Sequence, residues 1–341
     1  MKLNRHIACG FMALAAIGAG TWAARADEAD FYRGKSVNML IGYSAGGGYD
    51  IYARTLARHM ARHIPGNPTI VAQNMPGAGS QKAMVYLLDV AAKDGLTFGT
   101  FGRTLPLAPL LEGAKYDPSK LEWIGSITSD TSTCVAWHTA AVKTWDDLKT
   151  KELTVGGLGK GSDPEMFAKI VKNLFGLNVK LVSGYRGTNE VALAMERGEV
   201  EGMCGFSYSS LRASRNNWIV EKKVNILAQA ALQKDPAIPA SVPLMIDLIS
   251  DPKKKQALSM ILAPQAMARP FAMPPGTPPS RVAAMRKAFM DTMKDEAFLA
   301  EAKKTKLDVN PMTGEAMADV LNKAFAMPPD IVAEARRAVG N

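Results

Sequence analysis

Histidine is scarce in this chain: four among 341 residues, and none after His138. Cysteine is scarcer still at three, too few for a fold held together by disulfides. Beyond the N-terminus no apolar run is long enough to cross a bilayer, and no basic stripe with interleaved aromatics marks a nucleic-acid surface. Acidic residues are dispersed, without a carboxylate pair for acid–base work, and no repeat of 20 to 50 residues is visible. What is present is ordinary globular material. Hydrophobic residues make up 47%, which excludes a disordered chain, and the scattered Gly and Pro exclude a collagen-like one. The length exceeds one usual core, so two lobes are expected.

The N-terminus reads as an address. Lys2 and Arg5 precede an uncharged stretch from Ile7 to Trp22, and Ala24-Arg25-Ala26 supplies the small-residue cleavage pattern. Cleavage is expected after Ala26, with export to the periplasm. The stretch is short for a span, which needs about 20 residues, and Cys9 is misplaced for a lipid anchor. Losing three basic residues lowers the formal charge from +9 to +6. That mild positive field favours small anions.

Short β-rich runs alternate with amphipathic helical stretches, which reads as α/β. Val37–Ile41, Thr69–Ala72 and Leu96–Phe101 are expected strands. The helices between them carry Ala53, Leu56, Met60 and Ile64, then Ala83, Met84, Leu87 and Leu88. The pattern recurs from Leu153-Thr154-Val155 through a Gly-rich loop ending at Gly161. Ser162-Asp163-Pro164-Glu165 there has the form of a capping box. Lys180-Leu181-Val182 leads through Gly184–Thr188 into a helix ending near Gly198. Pro270 to Pro279 is expected as a rigid loop, and Lys253-Lys254-Lys255 as a solvated helix start. At least four times a strand ends in a Gly-rich loop that opens a helix. Such junctions leave N–H groups unpaired at the positive end of a helix dipole and suit a carboxylate or phosphate.

Gly42-Tyr43-Ser44-Ala45-Gly46 fits the G-x-S-x-G nucleophile elbow between a strand and a helix, which keeps a serine hydrolase with Ser44 as an alternative. No histidine stands where the triad needs one, since His59 and His63 lie on the helix that the elbow itself would start. Those two, four residues apart, also lack a third metal ligand, and Arg58 and Arg62 repel a cation; a solvated face is expected and no metal. The phosphate-loop and dinucleotide fingerprints both fail, so no cofactor is implied. Trp123, Trp137, Trp145 and Trp218 read as core or surface anchors.

Tyr43-Ser44-Ala45-Gly46-Gly47-Gly48-Tyr49-Asp50-Ile51-Tyr52-Ala53-Arg54 resembles the P-F-P-P-G-G-x-x-D-x-x-A-R segment of the tripartite tricarboxylate transporter substrate-binding proteins, the Bug family. Gln73–Gly79 is similar to the family's E-N-R-P-G-A-G. Gly184-Tyr185-Arg186-Gly187 with Gly198-Glu199-Val200 resembles its Y-K-G and G-x-V, and Pro274–Pro278 its P-x-G-T-P. The resemblance implies a two-lobed α/β Venus flytrap of the periplasmic-binding-protein type, type II-like. Its lobes are expected at 27–129 with about 236–341, and at about 130–235. It implies a monomer that captures a small organic carboxylate and delivers it to membrane permease subunits, without catalysis. A ligand-sensing receptor that docks on a signalling protein is the other alternative.

The residues carried over for the ligand are Tyr43, Ser44, Ala45, Gly46, Gly47, Asp50, Gly77, Ala78, Gly79 and Ser80 on the first two loops. Arg103 and Thr104 follow the third strand, where Arg103 is either a surface arginine or a bidentate grip on a second anionic group. Gly161, Ser162, Tyr185, Arg186, Gly187, Thr188 and Gly205 would meet the ligand from the second lobe as the cleft shuts. Two departures stand out: the family's prolines are Ser44 and Ala45 here, and its Phe-Asp is Cys204-Gly205. If the second lobe has the sheet common in flytrap proteins, Cys134 and Cys204 lie on adjacent strands and form a disulfide; two buried free thiols are the alternative.

Overall fold

Alternation sets the first strand. In β1 (Ser36–Ile41), Val37, Met39 and Ile41 face one side and Leu40 the other, and all four are buried. A strand covered on both faces belongs inside a sheet, and β1 pairs in parallel with β2 (Thr69–Asn74) and β3 (Thr97–Thr100). The connections are α1 (Gly48–Met60) and α2 (Gln81–Asp89). Ala53, Leu56 and Met60 of α1 pack in the core that holds Val37, Met39 and Ile41, whereas Met84, Leu87 and Leu88 of α2 share the opposite core with Leu40. Each such large side chain contributes about 1.5–3 kcal/mol by burial. The computed structural model describes residues 28–340, so the leader and its cleavage site lie outside the described residues.

The first sheet is completed by β4 (Glu122–Ser126), β10 (Pro270–Met273) and β11 (Met312–Thr313), in the order β11-β4-β10-β3-β1-β2. The second contains β5 (Ser132–Trp137), β6 (Leu153–Gly156), β7 (Val179–Val182), β8 (Gly202–Ser207) and β9 (Val224–Ala230), ordered β7-β6-β8-β5-β9. Three helices follow strands of this second sheet: α4 (Asp163–Asn173), α5 (Thr188–Glu196) and α6 (Tyr208–Val220), with α3 (Ala108–Glu112) preceding them in the chain. The chain passes between the sheets within 127–131 and returns within 231–269. The C-terminal part is helical: α7 (Pro252–Leu262), α8 (Pro279–Thr292), α9 (Glu296–Lys304), α10 (Gly314–Phe325) and α11 (Pro329–Ala338).

Two expectations are corrected. The proline-rich segment is not all loop: Pro270–Met273 is β10, antiparallel to both β3 and β4 in the middle of the sheet. Proline is tolerated because Pro270 heads the strand, and Phe271, Ala272 and Met273 are fully buried. The face that carries His59 and His63 is only partly solvated: His59 is buried, while Arg58 and Arg62 stay exposed. The acidic residues of α9 and its N-cap cover them, with His59 Nε2 2.6 Å from Glu301 and His63 Nε2 2.8 Å from Asp295. Arg58 and Arg62 pair with the same two carboxylates. A helix face that reads as wholly solvated in one dimension is here also a docking face, matched by charge from 232 to 243 residues away.

The cysteines are joined. β5 and β8 run antiparallel with Cys134 opposite Cys204, both fully buried, and a disulfide links them.

Candidate functional site

The Gly-rich junctions of the two sheets face one another and interlock. From the first sheet come 42–47 into α1, 75–80 into α2, and the loop carrying Gly102-Arg103-Thr104. From the second come 157–162 into α4, 183–187 into α5, and Ser207 into α6. Ser44 N–H donates to the Arg186 carbonyl at 3.3 Å, and Ser44 Oγ donates to Glu190 at 2.8 Å. Gly79 N–H donates to the Leu158 carbonyl at 3.0 Å, and Thr104 Oγ1 to that of Gly161 at 2.7 Å. The cleft is therefore closed.

Between these junctions lies a cavity of about 30 Å³, bounded by Gly47, Gly48, Asp163, Pro164, Thr188 and Ser207 among others. Four helices begin on its walls: α1, α4, α5 and α6. None of the four has a side-chain hydrogen bond from its N-cap residue. The capping box expected at Ser162 does not form. Ser162 Oγ instead donates to the Gly159 carbonyl at 2.6 Å, and Glu165 accepts from Ser183, so the first turn of α4 stays uncapped. The start of α6 shows what these ends take. The Asp130 carboxylate accepts from Ser209 N–H at 3.2 Å and Ser209 Oγ at 2.5 Å. Helix starts gathered on the walls of one partly open cavity make a site for negative charge. The cavity has room for a water or two, so a larger guest enters only when the junctions part.

Arg103 is fully buried and reaches from the first sheet into the second. Its Nε and Nη2 donate to Asp163 Oδ2 at 2.8 and 2.5 Å, and Nη2 also to Ser132 Oγ at 2.6 Å and Ser207 Oγ at 3.2 Å. Asp163 Oδ1 accepts from Thr104 Oγ1 at 2.9 Å. Burial alone would lower the guanidinium's pKa, but Asp163, Tyr49 and Asp130 outweigh it and hold it above its ordinary value. A second buried arginine, Arg269, donates through Nη2 to Asp130 at 3.0 Å and to Ser209 and Ser210 at 2.8 Å. Its guanidinium lies 4.8 Å from the Tyr49 ring centroid and 4.7 Å from that of Tyr52. Burial, with the neighbouring Tyr49 adding to it, raises the pKa of Tyr43 well above its ordinary value; burial also raises that of Tyr49, against the opposing charges of Arg103 and Arg269.

Against the sequence-derived set, Tyr43, Gly47, Thr188 and Gly205 line the cavity. Other members serve closure or loop shape. Asp50 accepts from Gly46 N–H at 3.0 Å, Arg54 Nε at 2.8 Å and Asn74 Nδ2 at 2.8 Å, which ties the first loop to the second. Ser80 Oγ accepts from Gly102 N–H at 3.3 Å. Arg103 is no surface arginine; its anionic partner is Asp163. Sequence reasoning missed Asp163, Ser207, Ser210, Asp130 and Arg269. Asp163 sits at an expected helix start and Ser207 at one the sequence did not signal, and nothing in the order of residues says which arginine faces them. A wider groove of about 610 Å³ opens where the chain crosses between sheets, with Arg212 and Asp308 on its wall. Those two pair with each other through both carboxylate oxygens at 3.0 Å.

A family model described as "Tripartite tricarboxylate transporter family receptor" matches residues 52–332. The chain belongs to this receptor family. One similar solved structure is the periplasmic binding protein BugD, with TM-score 0.74 and 21% identity over 90% of this chain and 98% of that one. Another is MatC from Rhodopseudomonas palustris with bound malate, with TM-score 0.68 and 20% identity over 87% of this chain and 99% of that one. The UPF0065 protein in the gbd 5' region of Cupriavidus necator is 34% identical over 108 residues. The match spans 32% of the length of this curated relative and 32% of the chain. The receptor thus has the two-lobed α/β architecture of periplasmic binding proteins. It is a solute-binding protein and not an enzyme, and Ser44 of the G-x-S-x-G match fits that. Its hydroxyl faces Glu190, while His59 and His63 are held by Glu301 and Asp295.

Proposed function

We propose that this receptor captures a small organic carboxylate in the cleft between its two sheets, in the periplasm, and delivers it to membrane permease subunits of a tripartite tricarboxylate-type transporter. The observation that carries the reading is that four helices begin on the walls of one cavity between the sheets, none with a side-chain hydrogen bond from its N-cap residue. Each helix start offers N–H groups and about half a positive charge. A carboxylate that enters meets the starts of α1, α4 and α5 as Asp130 already meets that of α6. The malate in MatC accords with this class of ligand.

The lobes in this reading are 27–129 with about 236–341, and about 130–235, working as a monomer. Ligand enters an open form and the junctions close over it, with Ala45, Gly46, Gly47, Gly77, Ala78, Tyr185 and Gly187 at the rims. Thermal-shift screening against mono- and dicarboxylates tests the function. A ligand at a hundred times its Kd stabilises by about 2.7 kcal/mol, a shift of several degrees. No shift with any carboxylate, or ester turnover that is lost in Ser44→Ala, refutes it.

A further inference from the structure

We propose that this cleft selects ligands with one carboxylate and no second anionic group, because Asp163 already stands on Arg103 where a second carboxylate would bind. The proposal rests on the receptor reading above and specifies its ligand class. Two donors of one guanidinium converge on Asp163 Oδ2, and the other oxygen of that carboxylate accepts from Thr104. Asp163 thus takes two of the guanidinium's three nitrogens on one oxygen, while Nη1 lies 3.8 Å from Asp130 and makes no hydrogen bond. The remaining hydrogen bonds of Arg103 Nη2 go to Ser132 and Ser207, so donors of the first lobe hold an internal anion of the second.

The charge balance points the same way. Arg103 and Arg269 are both fully buried, and Asp130 and Asp163 neutralise them within the protein. Asp163 is the one charged side chain among the residues that line the cavity; no Lys, Arg or His is there. Helix starts meet a first carboxylate through N–H groups, with no cation required. A second carboxylate would be buried beside Asp163 with like charge, or would have to displace Asp163 from Arg103 and leave that aspartate buried and unpaired. The other walls, Tyr43, Tyr49, Leu158 and Pro164, suit an uncharged body.

Isothermal titration with matched pairs tests this: butyrate against succinate, hexanoate against adipate, and benzoate against terephthalate. In whichever pair binds, the wild-type protein is expected to prefer the monocarboxylate at least tenfold. Asp163→Asn, which frees Arg103 while keeping the shape, should shrink that preference to threefold or less, or reverse it. Asp163→Ser frees the same guanidinium with less bulk and serves as the second variant; if neither folds, the wild-type ratio alone decides. A dicarboxylate that binds the wild type as tightly as its partner overturns the proposal. So does a preference that survives unchanged in a folded variant. Failure of all six compounds to bind the wild type overturns the carboxylate reading itself, a result distinct from a wrong preference within it.

Discussion

Gly79 and Gly159 meet back to back across the closed cleft. A Cβ on Gly79 would stand 2.8 Å from the Gly159 carbonyl oxygen and 2.9 Å from that of Lys160, and Gly79 has φ +61°. Both contacts are to backbone, which cannot swing aside, so closure depends on the missing side chain.

Gly79→Ala is therefore expected to hold the lobes apart. The left-handed backbone adds a local cost of about 1–2 kcal/mol for a residue with a Cβ. Small-angle scattering should show a larger radius of gyration than the wild type, and the cleft should bind its ligand more weakly. A wild-type radius in the variant refutes this account of closure.

The Cys134–Cys204 disulfide closes a loop with a sequence separation of 70 residues. By chain entropy such a link stabilises by about 4 kcal/mol. Thiol titration of denatured, unreduced protein should find neither cysteine reactive. Cys134→Ser with Cys204→Ser should lower the melting temperature by many degrees; two reactive thiols, or an unchanged melting temperature, count against the bridge.

Arg103→Ala leaves Asp163 buried without its cation. Breaking a buried pair from one side costs about 3–5 kcal/mol, and denaturant titration should show a loss of that order. A loss below about 1 kcal/mol, typical of an exposed pair, would mean that Arg103 is solvated in the resting protein.

The α1–α9 clamp carries a pH dependence of known sign. Hydrogen bonds from Arg62 lower the pKa of Asp295, and those from Arg58 and His59 lower that of Glu301. Groups whose pKa is depressed on folding contribute stability that is fully present above their unfolded values, near 4. That stability is lost as pH falls through the folded values. Asp295 also caps α9, accepting from Ala297 N–H at 2.9 Å and Phe298 N–H at 3.0 Å. Asp295→Ala should then cost about 1 kcal/mol at neutral pH through the cap alone. Melting curves from pH 7 to pH 2 should show the gap between variant and wild type closing below pH 4; a gap constant with pH refutes the linkage.

Much of the fold and part of the site could be read from residue order alone. Alternation in Val37–Ile41, the apolar stripes of α1 and α2, and the recurring strand-to-Gly-to-helix junctions are local patterns, since side-chain period and backbone conformation act over a few residues. The same junctions made an anion-binding cleft legible, because a helix start is polar wherever it occurs. Local pattern misled at Ser162, whose S-D-P-E context has the form of a cap but whose hydroxyl turns to Gly159. It misled again at Pro270–Met273, where neighbouring strands claim a segment that composition marks as loop.

Sequence by itself determined the strands and helices of the β1–α1–β2–α2–β3 run, the glycine-lined helix starts and the family signature that runs through 43–54. Only the tertiary structure decided which charges meet: Arg103 with Asp163, Arg269 with Asp130, and His59 with Glu301. Those partners lie 60, 139 and 242 residues apart along the chain. Charge attraction carries no record of sequence distance, and a buried arginine is matched by whichever carboxylate the packing of two sheets brings within a few ångströms.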